Sequence, residues 1–169
     1  IYLENGEYDY KQEYEHRNIT FIGEDASKTI INGNGSTISI TEFLSFNNLT
    51  LKNIKIYAPE NLTATNVIFK DFKYHYSEDF PTGMIYNDYY GSSNINLVNC
   101  TFYNNTILDA GILEVYYSTV NIEDSKIIDN KNVQSDEYIT YGIIYAEKSN
   151  LNISNCEFIS KKIESVSGV

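Results

Sequence analysis

Residues 95–102 read INLVNCTF, and this stretch decides the fold because three other segments repeat its pattern: LTLKNIKI at 49–56, VNIEDSKI at 120–127 and LNISNCEF at 151–158. Each copy alternates apolar and polar residues and carries Asn or Asp at its fifth position. Alternation over short runs rich in Ile, Val, Phe, Tyr and Thr predicts β-strands, and the chain lacks a helical period. The predicted unit is a Gly-led strand, a short turn, a strand, an Asn corner, a strand and a variable loop.

The fifth positions predict a corner at regular intervals along the chain. These corner residues are Asn53, Asn99, Asp124 and Asn155. They are 46, 25 and 31 residues apart, and 46 is two intervals of 23. An interval of this size is one supersecondary unit of a repeat array, so the sequence predicts an all-β, parallel β-solenoid with three short strands per rung and about six to seven rungs. The rung assignment around Asn61 to Thr82 stays open, because Asn66 follows Asn53 too closely for a full turn.

Stacking the four copies sorts their side chains into inward and outward columns, because alternate residues of a strand face opposite sides. The predicted inward columns are apolar throughout: Leu49, Ile95, Val120 and Leu151; Leu51, Leu97, Ile122 and Ile153; and Ile56, Phe102, Ile127 and Phe158. The positions between them are polar. We expect the corner residues to form a structural ladder of side chains that hydrogen-bond to the next rung and to turn backbone.

The two cysteines fall in one column of this alignment. Ser125 lies between Cys100 and Cys156. Neighbouring parallel strands are about 4.8 Å apart, so these cysteines should be about 9.6 Å apart, beyond the roughly 7 Å that a disulfide allows between Cα atoms. The sequence therefore predicts two free thiols inside the coil. A metal site is disfavoured because no CxxC motif or histidine cluster accompanies them.

Four segments resemble a known family: residues 18–24, 29–33, 48–53 and NCTFYNN at 99–105. They are similar to the right-handed parallel β-helix of adhesin-like surface proteins of methanogenic archaea. More broadly they resemble the pectin-lyase-like fold, which the polymorphic outer-membrane proteins of some bacteria also use. The resemblance covers nearly all of the chain and implies a right-handed coil in a secreted or wall-anchored protein. It says less about activity, because this fold hosts lyases, hydrolases, phage tail proteins and adhesins.

Composition excludes some classes of partner. The chain carries 12 basic and 23 acidic residues, with a net charge of −11, so it lacks the basic stripe that nucleic-acid binding requires. A membrane-spanning helix needs a run of about 18 apolar residues, and this sequence contains none. We therefore expect no direct membrane insertion in this segment. Because the sequence opens at Ile1 without a signal-peptide pattern, we expect one β-helix domain over residues 1–169 that is a fragment of a longer repeat-containing surface protein.

Tyrosines provide the main candidate for a binding surface. If Ile85, Leu113 and Ile144 face inward in the Gly-led strands, their neighbours face outward. Tyrosine offers a large contact area at small entropic loss together with a hydroxyl group. The partner-binding candidates are Met84, Tyr86, Tyr89, Tyr90, Ile112, Tyr116, Tyr117, Ile143 and Tyr145. The simpler interpretation is an ordinary sheet surface, since strands favour exposed tyrosine in any case.

Polysaccharide cleavage on the outer face of a sheet is the alternative. A hydrolase needs two or three carboxylates at a fixed separation, and a lyase of this fold needs carboxylates for calcium with a basic residue beside them. The candidates in or beside one insertion, Phe72 to Thr82, are Asp71, Glu78, Asp79 and Asp88, with Lys70 and Lys73 as the nearby bases. His75 lies in the same insertion between two tyrosines, a context typical of a packed loop residue. No galacturonase-type signature accompanies them, so we predict no catalytic residue, no metal ligand and no cofactor. Calcium in an acidic loop stays open, although EF-hand and RTX spacings are absent.

We therefore expect a non-catalytic extracellular adhesin-type module, located at the cell surface or in the cell wall. Its partner would be a cell-surface protein or glycan of another cell, bound on a rigid rod. The alternative is a polysaccharide lyase or glycoside hydrolase of the pectin-lyase-like fold. Among the Asn-x-Ser/Thr sequons, Asn34 and Asn104 are predicted to lie in loops and are the glycosylation candidates, whereas Asn99 belongs to the corner ladder.

Overall fold

The computed structural model describes residues 1–11, 16–73, 83–108, 111–133 and 142–160. Within these ranges the chain forms eighteen β-strands and no helix, so the fold is all-β. The strands are β1 (Tyr2–Leu3), β2 (Gly6–Asp9), β3 (His16–Gly23), β4 (Thr29–Asn32), β5 (Thr37–Lys52), β6 (Lys55–Tyr57), β7 (Asn61–Lys70), β8 (Ile85–Tyr86), β9 (Asn94–Val98), β10 (Thr101–Tyr103), β11 (Thr106–Leu108), β12 (Leu113–Tyr116), β13 (Thr119–Glu123), β14 (Lys126–Ile128), β15 (Lys131–Val133), β16 (Ile144–Glu147), β17 (Asn150–Ser154) and β18 (Glu157–Ile159). They pair in parallel and coil around one hydrophobic core, an arrangement compatible with a β-solenoid.

One inward column of side chains runs through seven stacked strands. Its members are Tyr8, Ile31, Leu51, Phe69, Phe102, Ile127 and Phe158. The five middle members are at most 3% exposed, and the rings of Phe69 and Phe102 stack with their centroids 4.6 Å apart. The predicted stacking of Phe102, Ile127 and Phe158 is therefore confirmed. Burial of these columns provides the main driving force for folding.

The register predicted for residues 49–56 is wrong. Leu44 and Leu62, rather than Leu49, lie in the column of Ile95. The same pattern of alternating apolar residues followed by Asn also occurs at LSFNN and LTATN, one corner earlier in β5 and β7, so the sequence offers two registers. The displaced residues pair as follows: Leu49 with Val67, Leu51 with Phe69, and Ile56 with Ile38 and Ile85.

Corner residues adopt the left-handed backbone conformation, which short polar side chains tolerate better than most others. The first corner column contains Asn48, Asn66, Asn99, Asp124 and Asn155, with φ between 51° and 56°. Asn53, predicted to lie in this column, instead begins the second corner column, which contains Asn53, Asp71, Asn104 and Asp129 with φ between 46° and 55°. In the first column the amide of Asn99 donates to Oδ1 of Asn66 at 3.4 Å. The amide of Asn66 in turn donates to Oδ1 of Asn48 at 2.6 Å.

The turn of the coil from residue 94 to residue 116 contains four strands, β9 to β12, one more than predicted. The additional strand is β11, which pairs in parallel with β15. Buried Asn105 precedes β11, and its amide donates to the carbonyl of Phe69 at 3.0 Å and to Oδ1 of Asn130 at 2.9 Å. These bonds order a segment that the sequence pattern assigned to a variable loop.

The cysteines are free thiols, as predicted. Cys100 is buried and Cys156 is half-buried in the last described rung. Ser125 lies between them in the column, and its hydroxyl oxygen accepts a bond from the backbone N–H of Cys100 at 3.0 Å.

Candidate functional site

Strands β6, β8, β12 and β16 lie side by side, and one outward column crosses all four. It consists of Tyr57, Tyr86, Glu114 and Tyr145. The alternate residues Ile85 and Leu113 are buried in the core, and Ile144 packs against it, as predicted. We call the outward surface of these strands, with the turns that follow β8, β12 and β16, the tyrosine face.

The turn after β8 is fixed to the neighbouring strand by Asn87, which is 1% exposed. The side chain of Asn87 donates to the carbonyl of Tyr116 at 3.1 Å and accepts from its N–H at 2.8 Å. The next residue, Asp88, accepts a bond from the N–H of Tyr90 at 3.2 Å. These bonds satisfy the backbone N–H and carbonyl of Tyr116 and hold Tyr89 and Tyr90 beside β12.

Four tyrosines form a tyrosine platform: Tyr89, Tyr90, Tyr116 and Tyr117. The ring of Tyr89 meets the other three edge-on, with centroid separations of 5.5–5.6 Å. Edge-to-face contact is a favoured geometry because the positive ring edge meets the negative ring face. Tyr90 is 95% exposed, and Tyr89 and Tyr117 are each 43% exposed. The platform therefore presents ordered aromatic surface to solvent.

Lys148 connects two rings of the platform. Its ammonium nitrogen Nζ donates to the hydroxyl of Tyr117 at 2.9 Å and to that of Tyr89 at 3.0 Å. It also lies 5.0 Å and 5.3 Å from the centroids of the same two rings. The bonds to Tyr117 and Tyr89 raise the pKa of Lys148, and the bonds from Tyr117 and Lys148 lower the pKa of Tyr89. Ammonium and phenols thus hold one another in place.

A second aromatic pair lies on the tyrosine face where it is formed by β6 and β8. The rings of Tyr57 and Tyr86 meet edge-on at 5.3 Å, and Nζ of Lys55 lies 4.5 Å from the Tyr86 centroid. The hydroxyl of Tyr57 donates to Oδ2 of Asp88 at 2.7 Å. Burial, followed by this bond, raises the pKa of Tyr57 to about 12, so the phenol stays protonated at physiological pH.

Carboxylates lie between and beside the tyrosines. Glu114 is only 5% exposed, and it accepts bonds from the N–H of Gly83 at 2.8 Å and from the hydroxyl of Tyr116 at 3.2 Å. Burial, followed by the charge of Glu114, raises the pKa of Tyr116. On the next strand, the hydroxyl of Tyr145 donates to Oε2 of Glu147 at 2.7 Å. The tyrosine face therefore combines aromatic rings with hydroxyl groups that donate hydrogen bonds and carboxylates that accept them.

The structure brings the predicted tyrosines together on one face: Tyr86, Tyr89, Tyr90, Tyr116, Tyr117 and Tyr145. The predicted exposure of the apolar candidates is wrong. Met84 and Ile112 are 2% and 1% exposed, and Ile143 is half-buried against the core. Each occupies the bend that precedes its strand, where strict alternation has not yet begun. These three residues therefore do not contribute an exposed apolar stripe.

Sequence reasoning missed Tyr57, Glu147 and Lys148. The sequence contained a signal for Glu147 and Lys148. Strand β12 ends in the segment Tyr-Tyr-Ser at 116–118, and the register aligns it with the segment Glu-Lys-Ser at 147–149, where β16 ends. Tyr117 and Lys148 are therefore equivalent corner residues, and both have φ of 51°. Alignment of the Gly-led strands could have placed the ammonium beside the phenol.

The predicted acidic candidates do not form a described cluster. Asp71 lies in the second corner column and Asp88 lies on the tyrosine face, while His75, Glu78 and Asp79 lie outside the described residues. Among the residues that the structure describes, no group of three or more His, Cys, Asp or Glu could hold a metal ion.

Both glycosylation candidates are exposed, with their amides held by carboxylates. The amide nitrogen of Asn34 donates to Asp9 at 3.0 Å, and that of Asn104 donates to Asp71 at 2.8 Å. An oligosaccharyltransferase would have to break these bonds before modifying either nitrogen.

In the described part of the chain no helix is long and apolar enough to cross a membrane. Comparison with protein-family models, with curated proteins and with solved structures finds no match to this chain.

Proposed function

We propose that this chain is a non-catalytic extracellular module of the adhesin type, which binds a cell-surface protein or glycan of another cell through its tyrosine face. In this proposal the coil is a right-handed parallel β-helix, like that of the adhesin-like surface proteins of methanogenic archaea, and it is displayed at the cell surface or in the cell wall. Its net charge of −11 would limit association between neighbouring rods.

The tyrosine platform is the observation that carries this proposal. Tyrosine is enriched at the energetic centres of interfaces, where truncating one such side chain to alanine costs about 2 kcal/mol or more in binding free energy. Binding normally costs about 0.5–1.5 kcal/mol for each side chain that must be immobilised. The contacts among Tyr89, Tyr117 and Lys148 reduce that cost because they order the rings in advance.

The proposal is tested with a triple variant, Y89A/Y90A/Y117A. We expect it to lose at least about 30-fold in affinity for intact cells or for a glycan array, the equivalent of about 2 kcal/mol. The matched control is Y103A, because Tyr103 is 41% exposed in β10, which lies outside the tyrosine face. If the wild type, the triple variant and Y103A bound equally well, the tyrosine face would not be a binding surface, and the chain would be interpreted as a structural spacer.

The alternative function, a polysaccharide lyase or glycoside hydrolase, is favoured by one feature. Glu114 is a buried carboxylate on the tyrosine face, bonded to the hydroxyl of Tyr116. A carboxylate on the outer face of a sheet could serve as a general acid or base toward a substrate that reaches it. Release of reducing ends or unsaturated uronides from pectin by the wild type, and its loss in E114Q, would replace the adhesin proposal with this one.

A further inference from the structure

The tyrosine platform has the surface chemistry that suits a sugar ring. One face of a pyranose consists of C–H bonds with slight positive charge, and its rim consists of hydroxyl groups. Aromatic faces are slightly negative, so they attract such C–H bonds, while phenols and carboxylates bond to the hydroxyls. Tyr90, at 95% exposure, offers a ring face, and the carboxylates of Asp88 and Glu147 lie beside the platform.

The charges around the platform disfavour an anionic ligand. Asp88 and Glu147 are bonded to tyrosine hydroxyls of the same face, at 2.7 Å in each case. The nearby ammonium of Lys148 already donates to two phenols and lies 3.8 Å from Glu147. A carboxylate or sulfate on the ligand would approach like charges and would compete for an ammonium that is already engaged.

A cationic ligand is disfavoured at three rings of the tyrosine face, because internal ammonium groups already contact them. Among the described residues no ammonium contacts the ring of Tyr90, so the cationic probe below tests that ring directly. Nζ of Lys148 lies over the rings of Tyr89 and Tyr117, and Nζ of Lys55 lies over that of Tyr86. A lysine or arginine of a partner would have to displace these ammonium groups before gaining its own contact with the rings.

We propose that the ligand of the tyrosine platform is a neutral saccharide, which stacks a pyranose ring on Tyr90 and bonds through its hydroxyls to the phenols and carboxylates beside it. This inference rests on the proposed binding function and assigns that function to uncharged glycans. Lys148 holds the phenols of Tyr89 and Tyr117, whose oxygens are also bonded to each other at 3.3 Å, so the sugar hydroxyls would bond to the outer side of this pair.

Calorimetric titration with four probes tests the ligand class. The probes are cellohexaose and mannohexaose as neutral hexamers, hexagalacturonate as an acidic hexamer, and hexalysine as a cationic one. We expect at least one neutral hexamer to bind, with affinity unchanged within about twofold between 50 mM and 500 mM NaCl, because salt screens only charge interactions. Hexagalacturonate and hexalysine should bind at least tenfold more weakly.

Variants of Tyr90 separate stacking from general surface effects. Y90A should lose at least tenfold in affinity for the neutral hexamer, whereas Y90F, which keeps the ring, should stay within about threefold of the wild type. Because Tyr90 is almost fully exposed, neither change should disturb folding, and Y103A provides the matched surface control.

The outcomes distinguish this inference from the proposed function. Salt-sensitive binding of hexagalacturonate or hexalysine, or failure of both neutral hexamers to bind, would overturn the neutral-saccharide assignment. If the triple variant nevertheless lost attachment to cells, the binding function would stand with a protein or charged glycan as its partner. If neither cells nor any probe bound the wild type, both proposals would fall together.

Discussion

The thiol of Cys100 lies 3.5 Å from the carbonyl oxygens of Ala64 and Val98 and is 1% exposed. Burial raises the pKa of the Cys100 thiol to about 12. Because the thiolate is the reactive form, its population at pH 8 should be about a thousandfold lower than that of a thiol with a pKa near 9. We expect Cys156 to be alkylated in the native protein while Cys100 remains unmodified, as measured by mass spectrometry.

The variant C156S provides the control, because Cys100 is then the remaining thiol. In this variant Cys100 should not react with iodoacetamide in native buffer and should react fully in denaturant. Modification of native C156S at the rate of the unfolded chain would show that the column around Cys100 is open to solvent.

Asp25 makes a turn whose stability should depend on pH. Its Oδ1 accepts bonds from the N–H and the hydroxyl of Ser27 at 2.8 Å and 2.7 Å, and these bonds lower the pKa of Asp25 to about 2. A carboxyl group with a lowered pKa stabilises the fold above its ordinary pKa near 4, and this contribution is lost as the pH falls toward 2. The stability difference between wild type and D25N should therefore be constant from pH 5 to pH 7 and should shrink progressively as the pH falls from about 5 to about 1.

Urea unfolding of both proteins at a series of pH values measures this difference in the free energy of unfolding. The contributions of the other carboxyl groups are the same in both proteins and cancel in the difference. A difference that stays constant down to pH 2 would exclude ionised Asp25 as its source.

Single residues also mark the limit of prediction for the candidate site. Alternation within the Gly-led strands predicts that Tyr86 and Tyr145 face outward. Tyr89, Tyr90, Tyr116 and Tyr117 are predicted beside them because they cluster at the turns that follow these strands. The bonds that organise them could not be predicted in this way. Lys148 reaches Tyr89 from 59 positions away along the chain, a pairing that depends on how the rungs stack.

At the scale of elements, the corners determine how strands join into rungs. Asn66 has φ of 54°, and its amide bonds to Asn48. Replacing it with glycine removes the amide but keeps the backbone relaxed, at a cost of about 0.5–1.5 kcal/mol. Replacing it with alanine adds about 1–2 kcal/mol for a Cβ in the left-handed region. We therefore expect N66A to be less stable than N66G in urea unfolding.

The neighbouring residue Thr65 supplies the matched control. It is exposed in an extended part of β7, where glycine should destabilise the strand more than alanine does, by about 0.5–1 kcal/mol. The order of the two substitutions should thus reverse between positions 65 and 66. If alanine were the better residue at both positions, the left-handed corner would not be a constraint.

The corners also explain why part of the register was predicted wrongly. The pattern of two apolar residues followed by Asn occurs before both corners of the long strand β5, at Asn48 and at Asn53. Alternation alone cannot distinguish these corners, because either choice gives apolar inward columns. The pairing of β5 with β7 places Asn48 beside Asn66, and the pairing of β7 with β9 places Asn66 beside Asn99; together they resolve the choice.

For the whole molecule, the parallel coil could be predicted because one physical requirement is repeated. Each rung must bury the same alternate positions against its neighbours, so Ile95, Val120 and Leu151 had to coincide. The additional strand has weaker support, because its pattern is short and polar. Among the described strands β11 recurs as β15, and Asn105 recurs 25 residues later as Asn130, but both stretches resemble a loop when the sequence is considered alone.

Stacking also predicts that the same substitution should have different effects at different heights in the coil. Phe102 is 1% exposed and has Phe69 and Ile127 as its neighbours in the column, whereas Phe158 is 54% exposed in the last described rung. F102A should destabilise the protein by about 3–5 kcal/mol, because it removes buried surface and leaves a cavity. F158A should cost less than about 1 kcal/mol, because most of that ring is already in contact with water. Urea unfolding with both variants measures the two losses. Equal losses would mean that the column is covered at its end, and a small loss for F102A would contradict a close-packed interior along the coil.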